Sequence, residues 1–209
     1  MKFLHVGCGQ NDKSKTTDIF ASDEWEETRL DIDKSVKPDL VSSITDMSII
    51  KDSSFDAVYS AHNIEHLYAH EVPIAFKEFK RVLKDDGIVF IRCPDLYTIA
   101  KFIVDGKVVQ PMYQSPAGPV TPIDALFGMR PFLVNNPYMA HKIGFTSELL
   151  VGTLKENGFA SAICVRSISA VELFAMASVN DVKEDILLEQ MHNHLSTRLG
   201  ENSIEKVRP

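Results

Sequence analysis

Ile88-Val89-Phe90-Ile91 is an unbroken apolar run between Asp85-Asp86-Gly87 and Arg92. A strand with no polar side chain on either face must be covered on both, which places it at the centre of a parallel sheet sandwiched by helices. Lys2 to Val6 is a second short apolar run, broken at Gly7-Cys8-Gly9 by a glycine turn. Three further strand-like runs, each closed by polar residues, follow at 28–33, 39–42 and 55–60. Between the first two strands, 10–27 is polar with only Ile19, Phe20 and Trp25 as apolar anchors, so it reads as a long loop or a short irregular helix.

Helical periodicity fills the gaps elsewhere. The stretch 63–84 carries apolar residues at helical spacing, Ala75, Phe79 and Val82 among them, and Pro73 divides it where a second helix has its first turn. Another helix is expected over 96–104. A further one starts at the Thr146 cap, runs to about Lys155 and is stopped by Asn157-Gly158, before two last strands at 162–165 and 171–177. Alternating strand and helix predicts an α/β domain over residues 1–180. Residues 106–140 interrupt that rhythm with Pro111, Pro116, Pro119, Pro122, Pro131 and Pro137. They read as a loop-rich insertion, either a substrate-side lid or surface packing. The C-terminal extension, 181–209, places Val182, Ile186, Met191, Leu195 and Leu199 on roughly one helical face, for packing on its own domain or for a homodimer contact.

Composition bounds the partners. Lys and Arg number 22 against 29 Asp and Glu, so a formal charge of −7 gives no electrostatic reason to bind nucleic acid or an anionic membrane surface. Cys8, Cys93 and Cys164 are odd in number and widely spaced, which suggests neither a disulfide framework nor a thiolate metal site and points to a reducing, cytoplasmic compartment. The apolar run near the N-terminus is too short for a signal-peptide core, and no segment approaches the roughly 20 apolar residues that span a bilayer.

The chemistry gathers around the first turn. Gly7-x-Gly9 after a strand lets backbone amides approach a ligand, and Asp31, about 20 residues on at the end of the next strand, is placed to take both hydroxyls of a ribose. Asp46-Met47 after the third strand offers a carboxylate to an adenine amino group and a thioether to its ring. LHVGCGQ, RLDID, PDLVSSITDM, FDAVYSAHNIEHL and FKEFKRVLKDDGIVFIRCPD, in this order and at these intervals, resemble a class I S-adenosylmethionine-dependent methyltransferase, and HKIGFTSELLVGTLKENGF extends the resemblance to the late helix of that fold.

The resemblance implies a Rossmann-like, mostly parallel seven-stranded sheet flanked by helices, with the last strand antiparallel. It also implies S-adenosylmethionine as cofactor and a small-molecule acceptor methylated by in-line displacement at the sulfonium. Gly7, Cys8 and Gly9 would line the methionyl part, Asp31 the ribose, Asp46 and Met47 the adenine, and Ser60 and His62 the sulfonium, with Ile32 a further cofactor contact. Two positions depart from the family pattern. His5 stands where an acidic residue is usual, and Asn11 replaces the third glycine, so a non-catalytic cofactor-binding or interaction protein is the alternative.

Proton transfer during catalysis has four candidates: His62, Glu65 and His66 after the fourth strand, and His141 at the end of the insertion. His62-Asn63-Ile64-Glu65-His66 also fits the H-x-x-E-H pattern of zinc peptidases, which needs both histidines on one helix face. The spacing upstream argues against that hydrolase and no metal ligand set is assigned. Glu65-His66 nevertheless looks like the pair with which some O-methyltransferases hold a divalent ion, and equally like the solvated start of a helix.

Overall fold

The computed structural model describes residues 1–115, 118–195 and 204–206. In chain order the first half contains β1 (Lys2–Val6), α1 (Asp18–Ala21), β2 (Glu26–Asp31), β3 (Leu40–Val41), β4 (Phe55–Ala61), α2 (Val72–Val82), β5 (Leu83–Pro94) and α3 (Leu96–Val104). The second half contains β6 (Tyr113–Ser115), β7 (Gly118–Val120), α4 (Pro122–Phe127), α5 (Arg130–Leu133), α6 (Ser147–Glu156), β8 (Ser161–Ser167), β9 (Glu172–Ser178), α7 (Glu184–Leu195) and β10 (Ile204–Lys206).

The main sheet runs β10-β8-β9-β5-β4-β1-β2-β3. Strands β3, β2, β1, β4 and β5 are mutually parallel, and β9 runs against both β5 and β8. This is the mostly parallel sheet with a reversed last strand that the resemblance implies. The short β10 pairs antiparallel with β8 and adds an eighth strand at that edge. Strand order reverses between β1 and β4, and ligands of open α/β sheets bind at the carboxyl ends of strands at such a switch point.

Period-two alternation explains the two-sided burial. Leu4, Val58, Val89 and Ile91 face one core with Phe76 and Phe79 of α2 and Leu150 and Leu154 of α6. Phe3, Tyr59 and Phe90 face the other, with Phe20 of α1 and Leu187, Met191 and Leu195 of α7. Leu187, Met191 and Leu195 of the tail helix therefore pack on its own domain, whereas Ile186, expected on that face, is exposed, and Leu199 lies outside the described residues. The stretch 10–27 follows the sequence reading of a short irregular helix, and the insertion departs from it. The 10–27 segment holds only one 3-10 turn and the four-residue α1 before β2 begins at Glu26. The insertion is more ordered than a loop, since its short elements share a small core of Ile99, Val120, Ala125 and Val171.

His194 of α7 is 4% exposed, with Nδ1 2.7 Å from Thr17 Oγ1 and its ring against Phe20 and Phe90. Burial pushes its pKa down from 6.5 to about 4. Between those values the unfolded chain binds a proton that the folded chain refuses, so the stability is complete above pH 6.5 and drains away as pH falls toward 4. His194→Gln is expected to make stability depend less on pH across that window in urea denaturation at pH 7 and pH 5. Equal losses in both proteins would remove His194 as the cause.

Candidate active site

Along β2, Glu27, Arg29 and Asp31 alternate onto one face, toward the loop that leaves β1. Asp31 Oδ2 accepts from Gly9 N at 2.8 Å and Oδ1 from Asp33 N at 2.9 Å. The Arg29 guanidinium donates to the carbonyls of Gly9 at 2.8 Å and Asn11 at 3.0 Å, tying down the stretch where the family's third glycine is missing. Glu27 Oε2 accepts from Lys13 N at 2.8 Å, while its Oε1 lies 2.7 Å from Nδ1 of the buried His5. Glu27 thus supplies, from the neighbouring strand, a carboxylate beside the position where the family carries its acidic residue. Gly7 has φ +62°, and a Cβ there would lie 2.4 Å from Asn63 Cγ, so no other residue fits.

These elements wall a cavity of about 520 Å³ at the switch point. Gly7, Cys8, Gly9, Asp31, Ile32 and His62 line it, as do His5, Asn11 and Arg92. Ser43 and Ile44 form the wall after β3, and Asn136, Tyr138, Met139 and Lys142 from the end of the insertion form the roof. Burial pushes the Cys8 thiol up to about 11, so it stays protonated.

Three expected cofactor contacts lie elsewhere. Met47 is fully buried in the α2-side core, with its amide donating to Glu78 Oε2 at 2.7 Å, and Asp46 points to solvent outside the cavity. Ser60 alternates with Tyr59 and Ala61 to the opposite face and is fully buried, away from the cavity. Beyond β2 and β3 the cavity is bounded instead by Ile32, Ser43 and Ile44, and at the β4 exit by Tyr59, Ala61 and His62.

The β4 exit also departs from a helix. His62 has φ 50°, and Ile64–His66 is one 3-10 turn, so the two histidines do not share the helix face that a zinc-peptidase site requires. His62 instead bridges two carboxylates, with Nε2 2.7 Å from Glu172 Oε1 and Nδ1 3.5 Å from Glu65 Oε1. Burial alone would lower its pKa, but the Glu172 and Glu65 carboxylates override it and raise the value to about 10. Glu172, which also accepts from Arg92 at 2.8 Å, is held at about 2: burial would raise it, and His62 and Arg92 overcome that. His62 is thus a cation at neutral pH and unsuited to accept a proton.

Glu65 is 1% exposed and His141 partly buried, and both line a smaller chamber of about 50 Å³ beside Leu96 and Phe145. Burial lowers the His141 pKa below its usual value, leaving it neutral. Lys142 N donates to the Glu65 carbonyl at 2.8 Å and so fixes the end of the insertion against the β4 exit. The pairing of His62 with Glu172, 110 residues away, has no signal in the sequence. Glu27 and Arg29 do have one, in their alternation with Asp31.

Residues 4–91 match the family model described as a methyltransferase domain. No curated protein matches the sequence at a significant level. Among solved structures, S-adenosylmethionine-dependent methyltransferases from Methanosarcina mazei and Archaeoglobus fulgidus superpose with TM-scores of 0.56 and 0.55 at 18% and 15% identity. The matches cover 85% of this chain in both cases, and 91% and 85% of those chains. The 1,6-didemethyltoxoflavin N1-methyltransferase of Burkholderia thailandensis, solved with its substrate and S-adenosylhomocysteine, aligns over 86% of this chain and 71% of its own at 12% identity and TM-score 0.54. Those likenesses carry the fold, and the stretch 4–91, whose first strand, glycine turn and Asp31 wall the cavity, is similar to a methyltransferase domain.

Proposed function

We propose that the chain methylates a small-molecule acceptor that enters beneath the insertion and meets the sulfonium near the β4 exit. The observation that carries this reading is the roof: Asn136, Tyr138, Met139 and Lys142 close over a cavity of about 520 Å³, a size typical of small-ligand sites. In this reading Gly7, Cys8 and Gly9 receive the methionyl part of S-adenosylmethionine and Asp31 the ribose. Each Asp31 oxygen accepts a backbone amide and keeps a further lone pair for a hydroxyl. Ile32 and Ile44 sandwich the adenine. The small-molecule methyltransferase from Burkholderia is a structural precedent for this class of acceptor.

The chemistry is an in-line displacement, in which positioning supplies most of the rate. Protonated His62 orients Glu65 and Glu172 rather than taking a proton. Glu65, His66 and His141 are the groups on hand where the acceptor must lose one. The test is S-adenosylhomocysteine formation from S-adenosylmethionine with panels of small hydroxyl, amine and thiol compounds, run beside RNA and protein acceptors. Turnover confined to small molecules is expected. Turnover only on a macromolecule would overturn the acceptor assignment, and cofactor binding without any turnover would favour a non-catalytic binder.

A further inference from the structure

The buried Glu65 carboxylate poses a problem that the transfer chemistry leaves unsolved. Neither of its oxygens has a hydrogen-bond partner among the described residues, and His62 Nδ1 stands 3.5 Å from Oε1. Burying such a group without partners is costly. Beside it stand two imidazoles in edge-on contact, His66 and His141, with ring centroids 5.0 Å apart. One ligand atom from each of Glu65, His66 and His141 falls within 4.8 Å of the others.

Both rings are also oriented from behind. His141 Nδ1 lies 2.8 Å from the Ala125 carbonyl and His66 Nδ1 lies 3.2 Å from the Ala140 carbonyl. A carbonyl only accepts, so each Nδ1 carries the hydrogen and each Nε2 keeps its lone pair. Backbone support of this kind is what metal-bound histidines have behind them. The 50 Å³ chamber lined by Glu65 and His141 gives room for an ion and a water molecule.

We propose that Glu65, His66 and His141 form a binding site for a first-row divalent metal ion. Two imidazoles and one carboxylate suit manganese, iron or zinc better than calcium, and leave coordination positions open. His66 also lines the large cavity, so an ion here is within reach of an acceptor oxygen. That use, though not the metal binding itself, rests on the methyl-transfer reading. With the ion bound, these three side chains act as ligands instead of bases, and a hydroxyl bound to the ion releases its proton to solvent. Its oxygen then forms the C–O bond as the S–CH3 bond breaks, and the bonding pair stays on sulfur to give neutral S-adenosylhomocysteine.

The experiment is calorimetric titration of the metal-stripped full chain with Mn2+ and with Zn2+, and separately with S-adenosylhomocysteine. Wild type is expected to take up one ion per chain. Glu65→Gln and His141→Ala should each weaken that uptake at least tenfold while binding S-adenosylhomocysteine within about twofold of wild type, because neither side chain lines the cofactor cavity. Absence of uptake by wild type, or uptake that neither variant weakens, overturns the site. Loss of S-adenosylhomocysteine binding in wild type would strike instead at the cofactor reading.

Discussion

Arg166→Ala is expected to destabilise the fold by about 3–5 kcal/mol, the cost typical of stranding one partner of a buried ion pair. Asp95 is fully buried, and Arg166, 8% exposed, donates to it through Nε from β8. The same carboxylate caps α3 by accepting from Tyr97 N at 3.1 Å, and the guanidinium lies 4.5 Å from the centre of the Tyr97 ring. Asp95 N and Leu96 N donate to the carbonyls of Val171 and Phe145, so the pair secures the place where β5, α3 and the end of the insertion meet. Urea denaturation measures the loss. Adding Asp95→Asn to Arg166→Ala should recover part of it by removing the stranded charge, and a double variant less stable than Arg166→Ala would refute this account.

Asp31→Ala is expected to weaken binding of S-adenosylhomocysteine by about 1.5–3 kcal/mol, the worth of a charged hydrogen bond, or roughly 10- to 150-fold in affinity. Part of that loss is direct, through the ribose hydroxyls. The rest comes through the loop, because Asp31 holds Gly9 N at 2.8 Å and the turn relaxes without it. Asp31→Asn separates the two, since its amide oxygen can still accept from Gly9 N while the charge is gone. Calorimetry at a fixed salt concentration reads both variants. An Asp31→Ala protein that binds as tightly as the parent would mean that the ribose sits elsewhere.

The parts of this site that were legible in the sequence are those fixed by short-range geometry. A buried strand entering Gly7-Cys8-Gly9 has one way to turn, and the length of one strand-loop-strand unit puts Asp31 across from it. The sequence reading assigns the adenine to Asp46 and Met47, because the chain between β3 and β4 has no period to say which side chains face inward. In the fold Ser43 and Ile44 face the cavity, and Met47 turns into the core. His62 is a similar case. Its proximity to Glu65 is local, but its charge is set by Glu172 on β9, a strand whose neighbour in the sheet no spacing argument identifies. Trp25 and Phe20, the sparse anchors of a seemingly structureless stretch, earn their place by packing on Phe3 from the far side of the sheet.

The small core shared by α3 and the insertion sets the insertion apart from the sheet. Ile99, Val120, Ala125 and Val171 form a cluster of their own, apart from the two cores that hold the sheet to its helices. Just past the insertion the Lys142 and Ile143 amides meet the Glu65 carbonyl, and the Lys142 ammonium lies 4.5 Å from the centre of the Tyr68 ring. Substitutions within that small core therefore act on the insertion without entering either core of the sheet. On the proposed function, acceptor choice is then separable from cofactor choice.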